Sequence, residues 1–481
     1  MQFSNTYLNL GERFYQKVPP TPVKSPELFL WNSELADSLG FDASENALRA
    51  KYFSGNQVVP GSCAIATVYA GHQFGSFNPQ LGDGRAHLLG EVVDADGVRK
   101  DVQLKGSGPS AFSRNGDGRC ALGPAVREFI MSAAMKSLGV PTTECLAVVR
   151  TGEAVYRQTP QPGAVVTRVA SSHLRVGTFQ FFAAQGDVES LKALSEFAIN
   201  RHYSDITEQG DQRYICFLDR VIEKQIELIV SWMRVGFIHG VMNTDNTAIS
   251  GETIDYGPCA MMGVYDPETV FSSIDRNGRY AFGNQPGIAN WNMARFAECL
   301  LLLVNHEDEQ IMAQVIALVN GFAERYRQAY LQMMAGKLGI FNLSPADESL
   351  IEEILQAFLE RKLDYTQGFD LLTKSFTSEA AMKDIKASLG TVFDQWLVRV
   401  NSQVNMVDAI EARMRAHNPV VIPRNHHLEA VLQASEESGS SDAANAFLAI
   451  LTQPYQEVSG TSEYQATSEE YDRRYQTFCG T

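Results

Sequence analysis

Apolar and polar positions change rhythm partway along the chain. Between residues 61 and 105 they fall in short strand-like runs. HLLGEVV at 87–93 and DVQLK at 101–105 flank the turn Asp94-Ala95-Asp96-Gly97, which predicts a β-hairpin. Residues 106–123 are a Gly/Ser-rich loop. Pro124, well suited to a first turn, opens a helix of about four turns to Leu138, and Gly139 ends it. Two further strand regions follow, at 145–150 with 154–157 and at 164–170. From about Gly177 the spacing becomes helical, at 187–200 and 211–235, then again at 291–335, 346–363, 378–415 and 426–436. The stretch 239–257 interrupts it with short strands and loops. Residues 1–60 are Pro-rich and read as irregular apart from a helical pattern around 32–39. Residues 437–481 are mostly polar and read as a tail, extended or helical, wrapping the body.

This order predicts an α+β protein of two lobes, a small mixed one followed by a larger helical one, with a nucleotide in the cleft between them. The expected divisions are an N-terminal extension packed on the lobes (1–60), a nucleotide-binding lobe (61–176), a helical lobe holding the loop 239–257 (177–415), and a C-terminal extension with a tail (416–481).

At 481 residues the chain is long enough for two or three domains or lobes with real cores, and 44% apolar residues with 10% aromatic is ordinary for a globular protein. The net charge of -16 argues against nucleic acid or an anionic membrane as the main partner, without excluding a local basic pocket. The first residues lack a signal-peptide layout, and the run CLLLLV at 299–304 is far too short for a membrane span. A cytoplasmic protein is expected. The seven cysteines, at 63, 120, 145, 216, 259, 299 and 479, form no CxxC and do not suggest a disulfide scaffold or a zinc site. Most are expected to be buried, whereas Cys479 lies in the tail.

The candidate chemistry begins with His239-Gly240-Val241-Met242-Asn243-Thr244-Asp245-Asn246 and Asp255-Tyr256-Gly257. A protein-kinase catalytic loop runs His-Arg-Asp, four residues, then Asn, with Asp-Phe-Gly further on. His239 and Asn246 keep that spacing and Asp255 heads the second motif, but Val241 occupies the position of the catalytic Asp. Asn246 and Asp255 offer oxygen ligands suited to Mg²⁺ or Mn²⁺ held jointly with phosphates. Asp245 is the nearest remaining carboxylate for a base.

Upstream, Gly71-His72-Gln73-Phe74-Gly75 and the two tetrapeptides Gly82-Asp83-Gly84-Arg85 and Gly116-Asp117-Gly118-Arg119 could bring backbone N–H groups and guanidiniums to a polyphosphate, although such Gly-rich stretches are, taken singly, usually just tight turns. Lys105, ending a strand, and Glu128, 23 residues later in a helix, fit the kinase pair in which a helix carboxylate holds a phosphate-binding lysine, or else a surface lysine and a helix-start acid. Arg168 and Arg175, seven apart, fit a terminal-phosphate clamp or two solvated arginines.

Taken together, GHQFGSFNPQLGDGRAHLLGE, QLKGSGPSAFSRNGDGRCALGPAVREFIMSAAM, TRVASSHLRVGTFQFF, HGVMNTDNTAISGETIDYGPCAMM, NPVVIPRNHHLEAVLQA and the terminal FCGT resemble the SelO (YdiU, selenoprotein O) family over most of the chain. The resemblance implies a protein-kinase-like fold and transfer of AMP from ATP to Ser, Thr or Tyr hydroxyls of proteins, with release of pyrophosphate and with ATP inverted relative to kinases. It implies nucleotide-binding roles for Gly82, Gly84, Arg85, Lys105, Asp117, Gly118, Arg168, Arg175 and Asp255. Glu128 matches the partner of the lysine, Asp245 the proton acceptor, and Asn246 and Asp255 the ligands of Mg²⁺ or Mn²⁺. Inverted ATP would make Val241 harmless, because the kinase base position no longer faces the reacting phosphorus.

Cys479 matches the position that carries selenocysteine in some members, which suggests a redox role. Family members can tie this residue to a cysteine after the Asp-Tyr-Gly motif. Here that segment holds only Cys259, and Phe271-Ser272 stands where another member has its cysteine, so the open alternatives for Cys479 are Cys259, a thiol on another protein, or no partner. The expected partners are therefore ATP and protein hydroxyls, self-modification included, and neither nucleic acid nor membrane. UMP transfer, a conventional phosphotransferase and a non-catalytic nucleotide-binding scaffold are the alternatives.

Overall fold

The computed structural model describes residues 2–41, 45–403 and 407–478 and has mixed α+β architecture. Strands dominate the first 170 residues: β1 (Phe3–Ser4), β2 (Tyr15–Lys17), β3 (Glu27–Trp31), β4 (Ile65–Thr67), β5 (Gly71–Gln73), β6 (Ser76–Asn78), β7 (Ala86–Val93), β8 (Arg99–Lys105), β9 (Cys120–Ala121), β10 (Glu144–Tyr156) and β11 (Pro160–Ala170). Helices α1 (Ser33–Ser38), α2 (Asn46–Ser54) and α3 (Leu122–Ser137) are set among them. All but β5 and β6 join one nine-stranded antiparallel sheet, in the order β2-β4-β7-β8-β11-β10-β3, with β1 on β7 and β9 on β11.

The predicted hairpin is present as β7 and β8, paired from Ala86↔Lys105 to Val93↔Arg99. The expectation for residues 1–60 is corrected. Far from being irregular, this segment supplies β1, β2 and β3, and β2 and β3 form the two edges of the sheet. Its strands pair with residues far along the chain, Leu30 opposite Val148 and Tyr15 opposite Thr67, so their local sequence, broken by prolines, carries little strand signal. The two runs predicted at 145–150 and 154–157 are one strand, β10, whose register against β11 shifts between Arg150 and Ala154, where Gly152 has a left-handed φ of +71°.

Alternation across the sheet aims the candidate residues. Val102 and Leu104 enter a small core beneath α1 and α2, so Gln103 and Lys105 turn to the opposite face. On β11, Val165 and Val169 fill the same small core, while Ala164, Val166 and Arg168 share the other face. That face is covered by α3. The helix starts two residues before Pro124, at Leu122, with the Glu436 carboxylate accepting the Gly123 N–H at 3.0 Å, an acid at a helix N-terminus. Leu138 and Gly139 (φ +72°) close it.

The rest is largely helical. It comprises α4 (Val176–Ala183), α5 (Val188–His202), α6 (Asp211–Val235), the paired short strands β12 (Phe237–Ile238) and β13 (Ala260–Met261), α7 (Gln285–Leu300), α8 (Glu309–Lys337), α9 (Pro345–Glu360), α10 (Tyr365–Lys374), α11 (Glu379–Leu389), α12 (Thr391–Asn401), α13 (Val407–Arg415), α14 (Asn425–Ser438), α15 (Asp442–Leu451), α16 (Thr461–Gln465) and α17 (Glu469–Arg474). The pattern at 291–335 is two helices, because Asp308 caps a new start by accepting from Gln310 N–H. The pattern at 378–415 is three helices, the first break falling at Gly390 (φ +61°). Helix α10 lacks a counterpart in the sequence reading. The tail is helical in part, and α15 buries Ala444, Phe447 and Leu451 against α3. Among the described residues no helix is long and apolar enough to cross a membrane.

Candidate active site

A cavity of about 300 Å³, at the lower end of the usual size range for ligand sites, opens where the sheet, α3 and the 239–258 loop meet. Its lining includes Gly82, Gly84, Arg85, Lys105, Asp117, Gly118, Glu128, Asp245, Asn246 and Asp255, drawn from five separate stretches of chain. The two Gly-Asp-Gly-Arg loops reach it because their glycines let the backbone pack closely. Gly82 (φ +71°) lies against the Phe112 ring, and Gly118 (φ +67°) against the backbone of Gly108; a Cβ at either would overlap its neighbour.

At the cavity wall four charges balance, Lys105, Glu128 and Asp255 lining it and Arg168 lying behind. Lys105 Nζ donates to Glu128 at 2.8 Å and is also paired with Asp255. Arg168 donates from Nε to the second Glu128 oxygen at 2.7 Å, pairs with it again through a terminal nitrogen, and reaches Asp255 at 3.2 Å. Burial pushes the Glu128 carboxyl up, but the Arg168 guanidinium and the Lys105 ammonium outweigh it and hold the group below the ordinary carboxylate range. Asp255 behaves likewise: burial raises it, and Lys105 and then Arg168 bring it well below. Asp255 has φ +71°, a left-handed conformation that Asp tolerates better than most residues and that is often found at functional sites.

The 239–246 segment is held from beneath. His239 is buried; its Nε2 lies 2.9 Å from the Ile254 carbonyl and its Nδ1 takes the Val241 N–H at 3.3 Å, and burial depresses its pKa. Val241 turns its side chain to the cavity lining, and its carbonyl accepts from Asn246 Nδ2 at 3.1 Å, which leaves Asn246 Oδ1 as a donor atom for a cation. The strand pair β5–β6 caps Asp245. His72 N–H donates to Thr244 Oγ1 at 2.7 Å, Phe74 N–H to Asn243 Oδ1 at 3.1 Å, and Gln73 Nε2 to Asp245 Oδ2 at 3.4 Å. Asp245 Oδ1 is buried without a hydrogen-bond partner, and burial, opposed by Arg175, pushes the carboxyl up to about 6.

Asp245→Asn therefore carries a stability signature. The ionised carboxylate is penalised in the fold above pH 6, and the penalty fades as pH falls through 6 toward its ordinary value near 4. Removing it is expected to stabilise the protein by about 1–2 kcal/mol near pH 8, after about 1 kcal/mol lost to the imperfectly paired amide. Denaturant titrations should show the gain near pH 8 and its disappearance below about pH 5; a variant no more stable than the parent near pH 8 contradicts the buried charge.

Arg168 and Arg175, expected at the edge of the small lobe, lie beneath the cavity floor and do not line it. Arg175 stacks 4.4 Å from the Tyr69 ring and donates to the Asp245 carbonyl at 3.1 Å, so in this structure it fixes the loop that carries Asp245. Gly71 and Gly75, read as possible phosphate-binding turns, belong to the hairpin over Asp245 instead.

Local pattern gave no warning of Arg114 and Arg157. Arg157, on the far side of the β10 turn, grips Asp117 with two bonds of 2.8 and 3.1 Å and the Arg119 carbonyl at 3.0 Å, fixing the second Gly-Asp-Gly-Arg loop. Arg85, Lys105, Arg114, Arg119 and Arg157 face Asp117, Glu128, Asp245 and Asp255, five positive groups to four negative, so the cavity is not acidic although the chain is.

Among the described residues there is no group of three His, Cys, Asp or Glu placed to hold a metal ion. The available donors, Asn246 Oδ1 and the Asp255 carboxylate, fit a hard cation whose coordination is completed by phosphates and water. Cys479 lies outside the described residues. Cys259 is fully buried, donates to the Tyr256 carbonyl at 3.2 Å, and has its thiol pushed up to about 12 by burial. The tail nevertheless approaches: Thr477 pairs with Ser272 and donates to the Pro258 carbonyl at 2.8 Å.

The family model described as protein adenylyltransferase SelO matches residues 1–452. The chain is similar over its whole length to proteins called protein nucleotidyltransferase YdiU. It is 51% identical to that of Teredinibacter turnerae and 51% identical to that of Pseudoalteromonas translucida, all of both chains being covered in each case. It is 49% identical to that of Geobacillus kaustophilus, over all of this chain and 99% of that one.

Proposed function

The chain belongs to the protein adenylyltransferase SelO family and is a nucleotidyltransferase, and from that premise we propose that it transfers AMP from ATP to Ser, Thr or Tyr hydroxyls of proteins, itself included. In this reading ATP lies inverted relative to a kinase. The observation that carries it is the pairing of Val241 with Asp245 on one cavity wall: an apolar residue stands at the kinase base position, while a buried carboxylate with an unpartnered oxygen stands four residues on.

The acceptor hydroxyl oxygen attacks the α-phosphorus, the bond from that phosphorus to the bridging oxygen of the β-phosphate breaks, and pyrophosphate leaves with its electron pair. The hydroxyl proton passes to the Asp245 carboxylate, whose raised pKa suits the task. Arg85 and Lys105 hold and orient the triphosphate, and Gly82, Gly84 and Gly118 shape the two loops beside it; the N–H groups of Gly82 and Gly84 are spent on the Tyr69 and Gly82 carbonyls at 3.1 and 2.9 Å, which fixes the first loop. Asp117 keeps the second loop closed through Arg157. Arg168 and Arg175 act from beneath, setting Glu128, Asp255 and the Asp245 loop, and come within reach of a terminal phosphate only if their present pairs rearrange. Asn246 and Asp255 would hold Mg²⁺ or Mn²⁺, which when bound supplies neutralisation of the charge on the leaving pyrophosphate. Rate enhancement rests mainly on positioning and charge.

We extend the reading to a protein-kinase-like arrangement of two lobes, divided as 1–60, 61–176, 177–415 and 416–481, with the strands of 1–60 joined to the sheet of 61–176. A strand lysine held by a helix glutamate, followed by a helical region with a metal-type loop near its start, supports it.

ATP labelled on the α-phosphate is expected to label protein, and ATP labelled on the γ-phosphate to leave it unlabelled. Label from the γ-position alone refutes the reading in favour of a phosphotransferase, and ATP bound without transfer of either label favours a scaffold. The relatives are named nucleotidyltransferases without a stated nucleotide, so α-labelled UTP belongs in the same experiment. The kcat/KM for transfer, which reports the free enzyme, should rise with pH through about 6 as Asp245 loses its proton, and Asp245→Asn should remove that limb along with most activity.

A further inference from the structure

The wall outside Asp245 carries a feature that nucleotide binding does not use. The hairpin β5–β6 is bonded to the 243–245 loop on its inner side, and on its outer side Phe77 is 40% exposed, its ring 4.9 Å from that of His72. The His72 ring meets Trp291 at 5.2 Å, and Trp291 lies between two guanidiniums, Arg279 at 4.9 Å and Arg295 at 5.0 Å. Arg295 is paired with Glu298. Arg279 makes no ion pair among the described residues. The nearby carboxylate of Asp275 is buried and taken up by the backbone N–H groups of Arg279 at 2.9 Å and Tyr280 at 2.7 Å. The next residue, Tyr280, donates its hydroxyl to Asn243 at 2.8 Å, two positions from Asp245.

We propose that this rim is the docking surface for the protein acceptor, and that it selects a segment with Asp or Glu beside the reactive hydroxyl. The identity of the acceptor as protein rests on the function proposed above; the preference for acidic segments rests on the rim. Elsewhere this chain of 56 acidic and 40 basic residues repels an acidic partner. At the rim an arginine without a carboxylate partner sits on an indole face, which the His72 ring links to an exposed phenyl ring. Arginine and aromatic side chains are the residue types that dominate binding energy at protein interfaces. The Asp275 hydrogen bonds hold the loop in place before an acceptor arrives, which lowers the ordering cost. An acidic side chain on Arg279 would bring the neighbouring hydroxyl toward the Asp245 side of the hairpin.

The test uses the full chain with ATP and divalent metal, and fluorescent peptides holding one serine and one tyrosine flanked by glutamates or by lysines. Anisotropy is expected to show the glutamate peptide bound at least about tenfold more tightly, with the preference shrinking as salt rises. Arg279→Glu is expected to reverse the preference, and Arg279→Lys to keep its direction. Equal binding of the two peptides, or an unchanged preference in Arg279→Glu, overturns the proposal whatever happens to label. Transfer from α-labelled ATP is read in the same samples. A bound glutamate peptide that never takes label leaves the docking surface standing and counts against the nucleotidyl-transfer reading alone.

Discussion

Glu128→Ala is expected to destabilise the protein by about 3–5 kcal/mol, because it leaves Arg168 and Lys105 buried with only Asp255 to share. The Arg168 side chain is 3% exposed and that of Glu128 4%, so solvent screening gives little relief. The position cannot adjust easily. Helix α3 is buried along nearly its whole length, and the residues that follow Glu128, Phe129, Ile130 and Met131, all belong to the main core. Denaturant titration measures the loss, and a value below about 1 kcal/mol contradicts the account of the four charges. Adding Arg168→Met to Glu128→Ala should recover part of it, since removing both partners of a buried pair is cheaper than removing one. The effect also depends on pH. The folded-state Glu128 carboxyl titrates below its ordinary range, so its contribution is complete above about pH 5 and is lost as pH falls through the lowered value.

Helix α3 also ties this site to the C-terminal region. Next to Glu128, Arg127 is buried and bonds the Cys259 carbonyl at 3.2 Å, Tyr475 Oη at 2.6 Å, and the carboxylate of Glu429; Tyr475 donates to that carboxylate at 2.6 Å. Successive residues of one helix turn thus hold the tail and the candidate catalytic loop. The expected tail is therefore a structural clamp on α3, built from α14, α15 and the segment around Tyr475, as well as the carrier of Cys479.

What the sequence made legible divides by the range of the interactions. Lys105, Glu128, Asn246 and Asp255 were readable because each belongs to a short motif with fixed spacing, and the strand and helix that present them have clear local periodicity. Arg168 and Arg175 were readable as charges but not in depth. Whether an arginine is buried depends on carboxylates and carbonyls brought from Glu128, Asp255 and Asp245, 40 to 87 residues away. Arg157 escaped notice for the same reason, since its work is to close on Asp117 across the sheet. Prolines lie close to β2 and β3, and the partners of all three strands before residue 60 lie beyond it, so their local sequence gives little strand signal. The predicted helices ran on too far where a cap at Asp308 or a left-handed Gly390 stops the chain, features with no hydrophobic period of their own.

Asp255→Asn should separate chemistry from folding in a way that Glu128→Ala does not. The Asp255 side chain is about one third exposed (32%), and Asn adopts its left-handed backbone conformation readily, so the fold is expected to survive with a loss of about 1 kcal/mol or less. Lys105 and Arg168 keep Glu128 as their partner. Catalysis fares differently. Asp255 is the one carboxylate in the cavity aimed at both the lysine and the proposed cation, and the amide brings no negative charge to either. Nucleotidyl transfer is expected to fall at least about a thousandfold, the scale of losing a principal charge-stabilising group in a low-dielectric site. The dependence of ATP binding on Mg²⁺ or Mn²⁺ should weaken at the same time, while ATP binding without metal is kept or strengthened because the cavity is then one charge more positive. Transfer assays across a metal titration, beside a melting curve, give all three readings. Activity within about tenfold of the parent, in a variant that melts like the parent, removes Asp255 from the site and leaves its left-handed backbone as a purely structural turn.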